Sequence, residues 1–334
     1  MQNIINYFTG IALDDVYDFL VFSSLSFILI FPIIAIMISW FIYSSYGIII
    51  LVIFLIMYLN IFMADKNIRK YKIWRRLQSL DFWDAIRQAT SGKIIIEGEK
   101  PLKKNKSHIF AFHPHGYFPL TIGWILNSKE LQHYTHNSND NNKGYLTRFI
   151  TLVSSMCFNV PLMRELVISF GCTEITKDIF KELLVKGYNL FLCPGGINEL
   201  LKTEAEKAKE RNANNLYIST KHKGFIKQAL INNKPIIPVL SFGEQELLSS
   251  KTIFRWGKFI IPIPIGRYYL PIPRKQPVTV IIGKPVYYKK CSTPTDDDVS
   301  NYHKKFYDKM RDMFYKYKDH PDVAIRYSDI VFTD

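Results

Sequence analysis

From about residue 90 onward, short apolar runs closed by glycine, proline or charge alternate with stretches of helical period. The runs Lys93–Glu97, His108–Phe112, Tyr188–Cys193, Ile236–Phe242 and Val278–Ile282 predict buried β-strands. Between them, apolar spacing predicts helices over Asp178–Lys186 and Thr220–Asn232. Such alternation predicts an α/β fold with a mostly parallel sheet flanked by helices. Gln132–Lys143, rich in Asn and His, has no period and predicts a polar loop. The triplet Asp296-Asp297-Asp298 predicts the start of a last helix, with acid at its positive end. In it Val299, Tyr302, Phe306, Met310, Met313 and Tyr317 form an apolar stripe interleaved with Lys304, Lys305, Lys309, Arg311 and Lys316. A basic amphipathic helix lies on a membrane or packs on its own domain, and packing is the favoured expectation.

The first 64 residues have a different pattern. Phe19–Phe41 is 23 residues without a charge, and Ile48–Met63 is nearly all Ile, Leu, Phe and Met. A membrane span needs about 20 apolar residues, so the first run qualifies and the second is marginal. Ile42–Gly47 between them suits a turn, and Pro32 kinks the first run in a way membrane helices tolerate. An N-terminal membrane hairpin over residues 1–64 is the expectation, and a domain over 65–334 follows it. A signal peptide starts basic, whereas this chain starts with Asp14, Asp15 and Asp18. Lys66, Arg69, Lys70, Lys72, Arg75 and Arg76 directly follow the second run, and the positive-inside rule places that flank in the cytosol.

Charge and cysteine content narrow the setting. A formal net charge of +14 predicts an anionic partner: nucleic acid, an anionic membrane face or a polyphosphate-bearing ligand. No groove-reading motif supports nucleic acid, and the hairpin favours a membrane surface. Cys157, Cys172, Cys193 and Cys291 have no CxxC spacing and read as reduced thiols. Apolar residues make up 48% of the chain, ample for a large core.

Candidate chemistry sits where strands end. Ile109-Phe110-Ala111-Phe112 stops at His113-Pro114-His115-Gly116, an apolar strand delivering two imidazoles to a loop. Loops past the carboxyl ends of buried strands are where α/β enzymes place their chemistry, and histidine moves protons near neutral pH. Past Asn189–Cys193 comes Pro194-Gly195-Gly196-Ile197-Asn198-Glu199. Paired glycines let backbone N–H groups approach an anion or oxyanion, and Glu199 is placed to orient a histidine. The competing reading is a tight turn followed by a helix-start glutamate. A third loop, Ser241-Phe242-Gly243-Glu244, offers a second acid, with a sheet-edge structural role favoured.

Several chemistries are excluded or disfavoured. No Gly-x-Ser-x-Gly elbow serves a serine hydrolase, and neither HExxH nor clustered cysteines complete a zinc site, so no metal is expected. Cys193 beside the glycines is an acyl-accepting nucleophile only if activated. Direct transfer remains: a histidine takes the proton of an acceptor hydroxyl as it attacks a thioester, and backbone amides hold the oxyanion. A basic surface then holds the phosphates of a coenzyme A donor. Among the other histidines, His133, His136, His303 and His320 read as solvated and His108 as structural.

Four elements in order carry a resemblance: His113–Gly116, Pro161-Leu162-Met163-Arg164-Glu165, Gly195-Gly196-x-x-Glu199, and Gly224-Phe225-x-x-x-Ala229 leading to Pro238-Val239-x-Ser241-Phe242-Gly243-Glu244. Together they resemble the type-2 acyl-CoA:diacylglycerol acyltransferase family, with its monoacylglycerol and wax-ester relatives, over roughly residues 65–320. The resemblance implies a glycerolipid-acyltransferase-like fold and acyl-CoA as co-substrate, with no separate cofactor. Diacylglycerol or another neutral lipid alcohol is the acceptor it implies. It implies a cytosol-facing enzyme of the endoplasmic reticulum membrane whose product is stored in lipid droplets, and self-association is left open. It also implies His115 as general base, Glu199 and His113 as its catalytic companions, and Pro114, Gly116, Gly195 and Gly196 as substrate-binding positions. Two departures stand out. Phe82-Trp83-Asp84 replaces a Tyr-Phe-Pro element, and His222 replaces an arginine, which passes an anion-binding role to Lys221 or Lys223. Glycerophospholipid acyltransferases pair His with Asp five positions on, but here residue 118 is Phe and 120 is Leu. Any acid partner therefore comes from a distant loop, Glu199 first.

Overall fold

A computed structural model describes Val52, Ile56 and residues 82–98, 102, 107–135, 149–160, 163–209, 214–256, 259–270 and 272–333. Apart from Val52 and Ile56, the predicted N-terminal hairpin lies outside these residues, as do His136, Pro161 and Leu162. Among the described residues no helix is long and apolar enough to cross a membrane.

The chain runs α1 (Phe82–Ala89), β1 (Lys93–Ile96), β2 (Ile109–His113), α2 (Leu120–Asn127), α3 (Lys129–Thr135) and β3 (Phe149–Val153). It continues through α4 (Met163–Ser169), β4 (Cys172–Glu174), α5 (Lys177–Val185), β5 (Asn189–Leu192), α6 (Gly196–Lys209) and β6 (Leu216–Ser219). Then follow α7 (Gly224–Asn232), β7 (Ile236–Phe242), α8 (Glu244–Leu247), β8 (Ser249–Trp256), β9 (Phe259–Ile265), β10 (Thr279–Ile282), α9 (Asp296–Tyr317) and β11 (Ile330–Thr333). Seven strands form the main sheet in the order β1-β10-β7-β2-β5-β3-β4. β7, β2, β5, β3 and β4 are mutually parallel, and β10 runs against β7. Two small sheets, β6 with β11 and β8 with β9, complete the described strands.

All five predicted strands are present. β2, β5 and β7 are buried along their whole length, as continuous apolar runs between helical layers must be. Alternation along β2 sends Phe110 and Phe112 to one face, among Trp83, Ile122 and Trp124. Ile109 and Ala111 go to the other, where α5, α7 and α9 supply Phe180, Phe225, Phe306, Met310 and Phe314. By the same period His113 points to the α9 side.

The last helix packs as favoured, with Val299, Phe306, Met310, Met313 and Tyr317 all buried. A Thr295–Asp298 capping box fixes its start. Its apolar stripe is wider than the sequence pattern drew, because His303, Tyr307 and Phe314 are buried in it too. His303 is therefore a core histidine and not a solvated one, whereas His133 is exposed.

Two boundaries also differ from expectation. α3 claims Gln132–Thr135 from the predicted loop, since Leu131, Tyr134 and Thr135 are buried. The helix expected from Thr220 begins at Gly224, because the Thr220 N–H extends the β6–β11 ladder onto the Thr333 carbonyl at 2.7 Å.

Candidate active site

Parallel pairing of β2 with β5 and β7 brings three strand-end loops to the carboxyl end of the sheet. His113 is the last residue of β2, fully buried, and its ring faces α9. The His113–Pro114 peptide is cis, and Gly116 follows in the left-handed region at φ +62°. A side chain at 116 would be strained there and would also press on Glu244 Cγ at 3.0 Å.

The glycine turn past β5 delivers Glu199 in the first turn of α6. A Cβ at Gly195 would meet the Glu199 carboxyl carbon at 2.4 Å, so this glycine is the seat of the carboxylate. The Gly196 N–H donates to the Cys193 carbonyl at 3.2 Å, closing the turn. That amide is engaged, so any oxyanion contact here falls to the following N–H groups at the amino end of α6.

Three N–H groups converge on Glu199. His113 Nδ1 lies 2.8 Å from Oε1, the Ser219 N–H donates to Oε1 at 3.0 Å, and the His115 N–H donates to Oε2 at 2.5 Å. His113 Nδ1 and Glu199 Oε1 are thus hydrogen-bonded to each other out of reach of water. On the ring's other side, the Tyr307 hydroxyl lies 3.3 Å from Nε2 and 3.3 Å from the Ser219 carbonyl. Burial raises the Tyr307 phenol well above its ordinary range, with Glu199 adding to it, so it keeps its proton. Both nitrogens of His113 are thus taken by protein groups.

His115 differs. It is half-buried, and its Nδ1 lies 2.7 Å from the Gly116 carbonyl, which fixes the proton on Nδ1. Nε2 is left with a lone pair. Burial lowers the His115 pKa below 6.5, against a smaller opposing effect of the Gly116 carbonyl and Glu199. This gives a neutral imidazole with one basic nitrogen on the sheet edge. Glu199 therefore acts on His115 through its backbone and on His113 through its ring, a division that spacing alone does not reveal.

The second acid is not at a sheet edge, contrary to expectation: β7 lies between β10 and β2. Glu244 is buried beneath Gly116, accepts from the Thr121 hydroxyl, and faces the backbone at the start of α2. Its Oε1 has no partner among the described residues, and burial pushes its pKa well above 4.5. It reads as a neutral acid.

Cys193 is no activated thiol, because burial raises its pKa well above 9.0. Lys221, His222 and Lys223 are exposed just before α7, with Lys223 Nζ 3.1 Å from Ser300 Oγ. His222 Nε2 lies 3.5 Å from Asn198 Nδ2 of α6, which ties this basic stretch to the Glu199 turn. His108 is structural, as expected, and its N–H donates to Asn189 Oδ1 at 2.9 Å. Ser219, Thr121 and Tyr307 escape sequence reasoning; for Tyr307 the available signal is its place in the α9 stripe, four residues after His303.

With this geometry in hand, comparison with known proteins is decisive. The diacylglycerol acyltransferase family profile matches residues 40–332. The chain belongs to that family. Diacylglycerol O-acyltransferase 2 of Dictyostelium discoideum is 27% identical over 258 residues, covering 71% of this chain and 73% of that protein. The human protein of the same name is 26% identical over 65% of this chain and 58% of its own length. Diacylglycerol O-acyltransferase 1 of Saccharomyces cerevisiae is 26% identical over 66% and 55%. The match thus spans a little over half the length of the human and yeast relatives. Among solved structures, the 1-acyl-sn-glycerophosphate acyltransferase PlsC of Thermotoga maritima aligns over 91% of this chain and 95% of its own, at 14% identity and a TM-score of 0.42. Family membership makes the chain an acyltransferase, and the histidine loop is the part of it to which chemistry is assigned below.

Proposed function

We propose that this acyltransferase esterifies diacylglycerol with the acyl group of acyl-CoA, giving triacylglycerol by direct transfer. His115 Nε2 takes the hydroxyl proton as the acceptor oxygen bonds to the thioester carbonyl carbon. The tetrahedral intermediate then collapses, the C–S bond breaks, and the imidazolium returns the proton to the departing coenzyme A sulfur. N–H groups at the amino end of α6 face the developing oxyanion. Glu199 and His113 hold the loop, and Lys223 with Lys221 receives coenzyme A phosphates. Acyl-CoA enters as co-substrate, and the scheme calls for no further cofactor.

One observation carries the assignment: Nδ1 of His115 is fixed on the Gly116 carbonyl at 2.7 Å, which leaves Nε2 as acceptor, whereas both His113 nitrogens are taken. The names of the relatives supply diacylglycerol as the acceptor. We place the enzyme at the endoplasmic reticulum membrane, held by the N-terminal hairpin with its acyltransferase domain in the cytosol, where product enters lipid droplets.

The test is labelled acyl-CoA with a panel of acceptors: diacylglycerol, monoacylglycerol, a long-chain alcohol and a lysophospholipid. The full chain is expected to label triacylglycerol, and His115→Ala to lose it. Labelling that persists in His115→Ala overturns the base assignment. Preference for another acceptor overturns the substrate.

A further inference from the structure

The turn after β9 presents two tyrosines that its own architecture does not require. Tyr268 and Tyr269 sit in the left-handed region, at φ +57° and +60°, where bulky side chains are disfavoured. They are 80% and 91% exposed, and Leu270 beside them is 47% exposed. The turn itself is held by backbone: Gly266 N–H to the Leu270 carbonyl at 2.7 Å and Arg267 N–H to the Ile272 carbonyl at 2.8 Å. Asn or Gly meets those φ values with less strain. What tyrosine adds is a pair of rings held out into solvent.

Their place in the fold gives the rings a partner. Arg274 N–H donates to the Leu247 carbonyl at 2.9 Å, and β10 starts opposite Phe242, so the turn stands at the carboxyl end of β7. This is the end that carries His115. Exposed Ile197, Met156 and Ile175 lie just past the carboxyl ends of β5, β3 and β4, in sheet order outward from β2. Lys177, Lys221, Lys223 and Lys275 are exposed at the same end, against Asp178 and, at the start of α9 near Lys223, Asp296 and Asp297. A rim of apolar and aromatic side chains mixed with lysine matches the interface of a phospholipid layer, apolar below and anionic at the headgroups.

We infer that the carboxyl end of the sheet docks on a phospholipid surface, with Tyr268, Tyr269 and Leu270 seated in the headgroup layer. The contact is additional to the N-terminal hairpin, and it brings His115 to the level where a lipid hydroxyl is presented. The inference rests on the lipid-acceptor reading above, but its test is independent of turnover.

Full-length Tyr269→Trp and Val185→Trp are reconstituted in phosphatidylcholine–phosphatidylserine vesicles, with and without brominated acyl chains. Val185 is 76% exposed at the end of α5, on the opposite edge of the sheet. Emission is read as the difference from the parent chain. Tyr269→Trp is expected to lose most of its added emission to the brominated lipid, and Val185→Trp to keep it. Equal quenching at the two positions, or none at 269, overturns the docking. Absence of acyl transfer by the parent chain counts against the proposed reaction and leaves the quenching result to decide the docking.

Discussion

Glu199 Oε1 lies 2.8 Å from His113 Nδ1, with both side chains wholly removed from water. A second buried acid, Glu244, lies on the other side of Gly116, met by the Thr121 hydroxyl and the backbone at the start of α2, with its Oε1 unpartnered among the described residues. Two carboxyl groups therefore sit in different surroundings beside one loop.

The contrast is testable with one substitution made twice. Glu199→Gln turns one acceptor oxygen into a donor facing N–H groups and leaves buried donors unpaired, a cost of about 1–3 kcal/mol. It is expected to lower Tm and to reduce acyl transfer at least ~100-fold. Glu244→Gln replaces a neutral acid by its closest isostere, so turnover is expected to stay within about twofold. Its effect on stability has a defined pH dependence. The folded pKa of Glu244 is raised, so its contribution is complete below about pH 4.5 and is lost as pH rises toward the folded value. Tm measured across pH should therefore show Glu244→Gln gaining on the wild type with increasing pH.

His115 and His113 should separate by what they damage. His115→Ala removes a half-buried ring bonded, among the described residues, only to its neighbouring carbonyl, so turnover is expected to fall about 10²–10⁴-fold while stability changes by less than ~1 kcal/mol. His113→Ala leaves Glu199 Oε1 and the Tyr307 hydroxyl without their ring partner and is expected to lose stability as well, by about 1–3 kcal/mol. Paired acyl-transfer rates and denaturation midpoints decide this. Equal stability of the two variants would remove the distinction between base and support.

The pH profile follows from the same environment. A base works deprotonated, and burial holds the His115 pKa below 6.5. The acid limb of kcat/KM is therefore expected below pH 6.5, with activity retained into mildly acidic buffer. An acid limb above pH 6.5 would mean that a different group, or a different environment for His115, controls the reaction.

How much of this arrangement the sequence revealed depended on where its determinants lie along the chain. β2, β5 and β7 are continuous apolar runs cut off by His-Pro, Pro-Gly and Gly-Glu, so both strands and loops were legible. β4 and β6 span only Cys172–Glu174 and Leu216–Ser219, too short for any period to register. The acid partner was reachable by elimination, because no aspartate follows the histidines closely. What it touches was not reachable. Whether a carboxylate meets a ring or a backbone N–H depends on a turn seated on Gly195, where a Cβ would collide with it. The Ser241–Glu244 loop was misplaced for a similar reason: strand order is set by long-range pairing, which no local pattern encodes.

Tyr307 is the clearest example, since it meets His113 across 194 positions of sequence. Its hydroxyl stands between two buried groups, 3.3 Å from His113 Nε2 and 3.3 Å from the Ser219 carbonyl. Tyr307→Phe keeps the ring packed against Phe306 and Phe332 and removes only that oxygen. Leaving Nε2 and the carbonyl without that hydroxyl costs about 1–3 kcal/mol. Tyr307→Phe is therefore expected to lower stability by that amount while the ring stays packed. Denaturation midpoints of the variant and the wild type check this; an unchanged midpoint would reduce Tyr307 to packing alone.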